Sequence, residues 1–210
     1  MPSPPNETLR AVRLGPARRR PLVLDAALHV LVAQGSGHVS MDAIADAAGV
    51  TKPVLYACFP SKAELLQALL DREEQRMLAH MAAVIPERPN REDPGAGLRT
   101  GFAAFLTAVA AQPDSWRLIL LAERGSNAEV RRRVARGRRL QVDALRRLVI
   151  EQYATRGVPA AELKAELVAR AIVACGEAAA CMMLDEPDRW PVDELADLLA
   201  RLTLDGAARL

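Results

Sequence analysis

Lys52 stands at the first position of an expected helix, three residues after Gly49 and directly before Pro53. A cation there opposes the positive end of the helix dipole. A nearby phosphate or guanine edge would offset that conflict, so the position points to DNA. Arg10, Arg13, Arg18, Arg19 and Arg20 crowd the N-terminal stretch, where they could follow a phosphate backbone, enter a minor groove or decorate a solvated tail. Other chemistries find little support. His29, His38 and His80 do not join cysteines or carboxylates in the usual metal-ligand spacings. Cys58, Cys175 and Cys181 form an odd set in apolar helical contexts, which suits reduced thiols in a cytoplasm and implies neither a disulfide framework nor a metal site. No nucleophile elbow, phosphate loop, metal cluster or paired catalytic carboxylates appears, which argues against an enzyme and against a cofactor.

The elements that must hold these groups lie in residues 40–66. An apolar pattern of Met41, Ile44, Ala45 and Ala48 stops at Gly49, and a second of Val54, Leu55 and Cys58 begins just after Thr51. Two short helices that close in sequence predict a helix-turn-helix. Ser40 is a fit N-cap for the first and Asp42 complements its positive end. Gly49 permits a positive φ in the turn. Thr51 can cap the second helix, and Pro53 is tolerated in a first turn whose N–H groups lack intrahelical partners. Before this pair, residues 19–34 place Leu22, Ala26, Val30 and Ala33 at helical spacing, reinforced by Val23, Ala27 and Leu31, until Gly35 and Gly37. After it, Ser61 to Glu64 form a capping-box pattern that opens a long helix reaching about residue 85.

With half of the 210 residues hydrophobic but only 3% aromatic, the core must be aliphatic, and an all-α fold is expected. Residues 86–95 read as a loop. Helices are then expected at 98–111, 115–123, 128–156, 160–184 and 192–204, broken at Gln112-Pro113, Gly125-Ser126, Gly157 to Pro159 and Glu186-Pro187. The expected organisation is a flexible basic arm over 1–17, a helix-turn-helix DNA-binding domain over 18–62 and a helical regulatory and dimerisation domain over 63–210. The N-terminus lacks an apolar signal core, and no run of about 18 uncharged apolar residues is present, so a soluble, cytoplasmic protein without a membrane partner is expected. A net charge of +2 is too mild to identify a nucleic-acid partner by itself.

Across residues 33–66 the chain resembles the tetracycline-repressor (TetR) family of bacterial transcription regulators. Gly35, Ser40, Ile44, Ala45, Ala48, Gly49, Val50, Leu55, Tyr56, Phe59, Lys62 and Leu65 carry the likeness in order and spacing. The Tyr-x-x-Phe-x-x-Lys that follows the turn makes it more specific than a bare helix-turn-helix. The resemblance implies that Thr51, Lys52, Pro53 and Tyr56 face the major groove of double-stranded DNA, while Ser40 and Lys62 hold phosphates. Their chemistry agrees: lysine donates to guanine O6 or N7, a tyrosine hydroxyl bonds phosphate, and a proline ring touches a thymine methyl. Lys62 also sits against a helix dipole, whereas Phe59 is read as core. Ala57 and Cys58 occupy positions where the family often has bulky aromatic or basic residues, which leaves the arm arginines to supply phosphate contacts.

The resemblance further implies a homodimer built from the last two long helices, with Gly176 allowing close approach and Leu195, Leu198, Leu199 and Leu202 supplying apolar surface. It implies an unknown, apolar small-molecule effector in a cavity between helices four to eight. Phe102, Phe105, Trp116, Leu120, Met182 and Met183 have suitable character, and Glu177 is a carboxylate on a mostly apolar helix that needs an arginine, a cationic ligand or the dimer seam. The arginines of 129–148 interleave with Val130, Val134, Leu140, Leu145 and Leu148, so they are read as a solvated face. The expected function is a ligand-responsive repressor on a palindromic operator. An activator of the same fold, or a helical scaffold without selective DNA binding, is the alternative.

Overall fold

A computed structural model describes residues 15–34, 39–90, 92–120, 128–159 and 161–208. The described residues form helices α1 (Pro16–Gln34), α2 (Met41–Ala47), α3 (Lys52–Cys58), α4 (Lys62–Val84), α5 (Pro94–Ala111), α6 (Pro113–Leu120), α7 (Ala128–Arg156), α8 (Ala161–Asp185) and α9 (Val192–Ala208), with no strand among them. The all-α expectation holds. The expected arm up to residue 14, the Gly35 and Gly37 stop and the Gly125-Ser126 break lie outside the described residues.

Two cores organise the chain. The first joins α1 to α4 through Val23, Ala27, Ile44, Leu55, Phe59, Leu65 and Leu69. Burying an aliphatic or aromatic side chain of this size contributes about 1.5–3 kcal/mol, which suffices to fix short helices such as α2 and α3 that would not form alone. The second joins α5 to α9 through Phe102, Leu106, Val109, Ile172, Ala180 and Leu199. Within it α7 packs chiefly on α8, and α5 on α9.

Several expectations need correction. α1 turns its Val23, Leu24, Ala27, Leu28, Val30 and Leu31 inward, whereas Leu22 and Ala33 are exposed. The sequence offers two overlapping apolar stripes, and packing on α2 to α4 selects the second. α5 begins at Pro94, inside the expected loop, because Asp93 accepts from the Ala96 N–H at 2.8 Å and caps it. α6 likewise starts at Pro113, a residue that suits a first helical turn. On α9, Leu195 and Leu199 belong to the core, while Leu198 and Leu202 are exposed, as are Leu163 and Leu167 of α8. By length and composition α8 could cross a membrane, with Arg170 and Glu177 in its apolar stretch, but half of that stretch is buried inside the fold.

Candidate DNA-reading face and regulatory cavity

The turn between α2 and α3 is built by local chemistry. Ser40 Oγ accepts from the Ala43 N–H at 3.1 Å, and Gly49 adopts φ 63° so that the Val50 N–H can return to the Ala45 carbonyl at 3.0 Å. Ile44, Ala45 and Leu55 lock the two helices together from beneath. The opposite side of α3 is therefore turned to solvent and carries Thr51, Lys52, Pro53 and Tyr56, the last 47% exposed. Thr51 holds the N-cap backbone conformation but makes no side-chain capping bond, which leaves its hydroxyl available. Ala57 shares the exposed face; Cys58 does not, being buried in the core.

Lys52 is not left against the helix dipole alone. Its Nζ lies 2.9 Å from Asp42 Oδ2 of α2, both side chains exposed, and Asp42 raises the lysine pKa, first through that hydrogen bond and then through its charge. The dipole conflict read from the sequence is thus answered within the protein. Lys62 is different. It opens α4 behind the Ser61 cap, which accepts from the Glu64 N–H at 3.2 Å, and it has no ion-pair partner among the described residues. Arg20 also departs from the expected arm: it lies in α1, stacks 4.2 Å over the Phe59 ring and donates to the Cys58 carbonyl at 2.6 Å.

In the second module α4 to α9 line a cavity of about 240 Å³ that is partly open to solvent. Phe102, Phe105, Trp116, Leu120 and Glu177 line it, whereas Met182 lies on the exposed side of α8 and Met183 within the second core. An alanine-rich helix has no polar face to fix its phase from sequence, which explains that miss. One wall is an aromatic group in which His80 and Phe105 both stand edge-on or tilted to each other and to Trp116, at 5.0–6.2 Å between ring centroids. Burial lowers the pKa of His80. His80 Nε2, Gln152 Oε1 and Tyr153 OH are buried without a hydrogen-bond partner among the described residues, and burial pushes the pKa of the Tyr153 hydroxyl up. Glu177 accepts from Arg138 Nε at 2.8 Å. Sequence reading missed His80, Gln152 and Tyr153, whose only signal was a polar residue on the inward stripe of a helix.

Two sets of contacts join the cavity walls to the first core. α7 grips α4: Arg133 donates to Asp71 at 2.7 Å and to Glu74 at 3.0 Å, and Arg136 to Glu74 at 2.6 Å. Those arginines are therefore cross-links rather than the expected solvated face. Glu129, then Asp71 and Glu74, raise the Arg133 pKa. Just beyond, Gly137 abuts Met77, which lines the cavity. The second link is α6, which turns Trp116, Ile119 and Leu120 to the cavity while Leu118 packs on the first core and Asp114 lies 3.1 Å from His29 of α1.

Comparison with known proteins agrees with this division. Residues 23–69 match the family described as bacterial regulatory proteins, tetR family, and residues 94–206 match the tetracyclin repressor-like C-terminal domain. The chain is 38% identical over 111 residues to the HTH-type transcriptional activator FasR of Mycolicibacterium smegmatis, covering 52% of this chain and 49% of that protein. It is 27% identical over 108 residues to the HTH-type transcriptional regulator EthR of the same species, covering 51% and 49%. The chain thus spans about half the length of these curated relatives. A solved TetR-like transcriptional regulator from Rhodococcus sp. RHA1 is 31% identical with a TM-score of 0.73, over 93% of this chain and 99% of that one. FadR from Bacillus subtilis, solved in complex with stearoyl-CoA, shares the fold at 18% identity and a TM-score of 0.66, over 88% and 97%.

Proposed function

The chain belongs to the tetR family of bacterial regulatory proteins, and from that premise we propose that it is a ligand-responsive transcriptional regulator that represses as a homodimer on a near-palindromic operator. The observation that carries this reading is the exposed α3 face of Thr51, Lys52, Pro53 and Tyr56 on a rigid small core. In the complex Lys52 leaves Asp42 for a guanine edge, Tyr56 and Ser40 donate to phosphates, and Lys62 neutralises a further phosphate. The protein acts without enzymatic chemistry and in the cytoplasm.

One such head covers too few bases for selectivity, so two must be held at a fixed spacing. The outward stripe of Leu163, Leu167 and Met182 on α8, with Leu198 and Leu202 on α9, supports those helices as the dimer seam. The effector is an apolar small molecule in the α4–α9 cavity. It favours the conformation whose heads no longer match the half-sites, and α6 and the α4–α7 ion pairs carry the change. A second reading, activation, is favoured by the name of FasR, an activator.

Footprinting upstream of the chain's own gene, with random-site selection, tests the DNA claim. The expected result is a protected palindrome with affinity falling steeply as salt rises. Absence of any selected site would sink it. A reporter behind that palindrome, with and without the protein, separates repression from activation.

A further inference from the structure

A second cavity, of about 200 Å³, lies between α4, α5 and α6 and shares Met77, His80, Trp116 and Ile119 with the first as a common wall. The group that distinguishes it is Glu73. Its side chain is 4% exposed, and only one of its oxygens is used: Oε1 accepts from Arg72 Nε at 2.8 Å and from Arg76 at 3.2 Å. Oε2 is buried with no hydrogen-bond partner among the described residues. A buried acceptor of that strength favours any molecule that brings a donor to it.

The charges decide which donor. Arg72 and Arg76 already oppose the Glu73 carboxylate, so the cavity has no excess negative charge to attract a cation. Most of the remaining wall is apolar, formed by Met77, Ala79, Ala108, Trp116 and Ile119, with Gln112 and Ser115 as its polar part. We infer that this second cavity binds a small neutral molecule with an apolar body and a single hydroxyl group, of which phenol is the representative, its O–H donating to Glu73 Oε2. The site has its own wall of Glu73, Arg76, Ala79, Ala108, Gln112 and Ser115 and meets the effector cavity at the four shared residues. Its occupant touches the residue next to the clasp in which Arg72 donates to Asp25 at 2.7 Å and to the Pro21 carbonyl at 3.4 Å, tying α4 to α1.

Calorimetric titration of the full chain with phenol, and with anisole as the same body lacking the donor, tests this. Phenol is expected to bind one site per chain, and anisole at least about ten-fold more weakly, the difference a hydrogen bond to a charged acceptor makes. In Glu73→Gln the amide oxygen stays with the two arginines and its NH2 group faces the cavity. Phenol then weakens at least about ten-fold, and cyclohexanone, an acceptor, gains. Ala108→Leu fills the second cavity alone and abolishes phenol binding, with circular dichroism confirming the fold. The comparison of phenol with anisole on the native chain stands whether or not Glu73→Gln folds. No phenol binding, equal affinity for phenol and anisole, or phenol binding unchanged by Ala108→Leu overturns the inference.

Discussion

Arg133 of α7 reaches across to Asp71 of α4 at 2.7 Å, with its side chain only 12% exposed and Glu74 3.0 Å away on the same helix. Removing the cation leaves Asp71 without its arginine and Glu74 with Arg136 alone in a partly buried joint. Arg133→Met is therefore expected to destabilise the chain by about 2 kcal/mol, read as a lower urea midpoint at unchanged slope. Neutralising Asp71 and Glu74 in the same chain should recover most of the loss.

Gly137 has no room for a side chain while Met77 keeps its place. Gly137→Ala should push the Met77 methyl into the cavity, lowering effector affinity while leaving operator affinity of the ligand-free protein within about two-fold. Adding Met77→Ala should restore binding, since truncating Met77 removes the atoms that the new methyl meets. Failure of the double variant to recover would show that Gly137 matters for another reason.

The Lys52–Asp42 pair makes a prediction with a sign. Asp42→Asn frees Lys52 and removes a negative charge from the reading face, so DNA affinity should rise and its salt dependence steepen. Lys52→Ala should relax preference at one position of each half-site by about ten-fold. Lys62→Ala should weaken all sequences alike and flatten the salt slope by about one phosphate per subunit. Selection on randomised sites at two salt concentrations distinguishes these outcomes.

Arg20 joins α1 to the end of α3 through a flat contact with Phe59 and a bond to the Cys58 carbonyl. Arg20→Ala should cost about 1–2 kcal/mol of stability. Arg20→Lys should recover less than half, because an ammonium keeps the charge but not the planar stack. Thermal melts of the three proteins compare them directly.

His80 supplies a pH dependence. Burial lowers its pKa in the folded chain below the usual 6.5, so the unfolded chain binds a proton first on acidification. The stability His80 confers is complete above about pH 6.5 and is lost as pH falls through that value towards the folded pKa. Urea denaturation at pH 7.5 and pH 5.5 should therefore show a smaller loss in His80→Phe than in the native chain.

What could be read from the sequence was whatever rests on neighbours along the chain. Ser40, Gly49 and Ser61 declare caps and a turn within four residues of themselves, and all three behave so. Thr51 shows the limit of that logic, since its place was legible but not its idle hydroxyl. Partners distant in sequence were not legible at all. Arg133 and Arg136 looked like a solvated run because Asp71 and Glu74 lie about sixty residues earlier. Cys58 was legible as part of the apolar stripe of α3 and is buried, but the reach of Arg20 from α1 to its carbonyl was not legible.

The eight residues of α6 divide their side chains between two interiors, Leu118 in one and Trp116, Ile119 and Leu120 in the other. Sharing of that kind runs in both directions. Whatever factor an effector takes from the protein's grip on its operator, the operator must take from the grip on the effector. On the proposed function, in which the effector releases the operator, a DNA-bound molecule is then a poorer sensor than a free one, and the effector concentration needed for release exceeds the one that a titration without DNA would suggest.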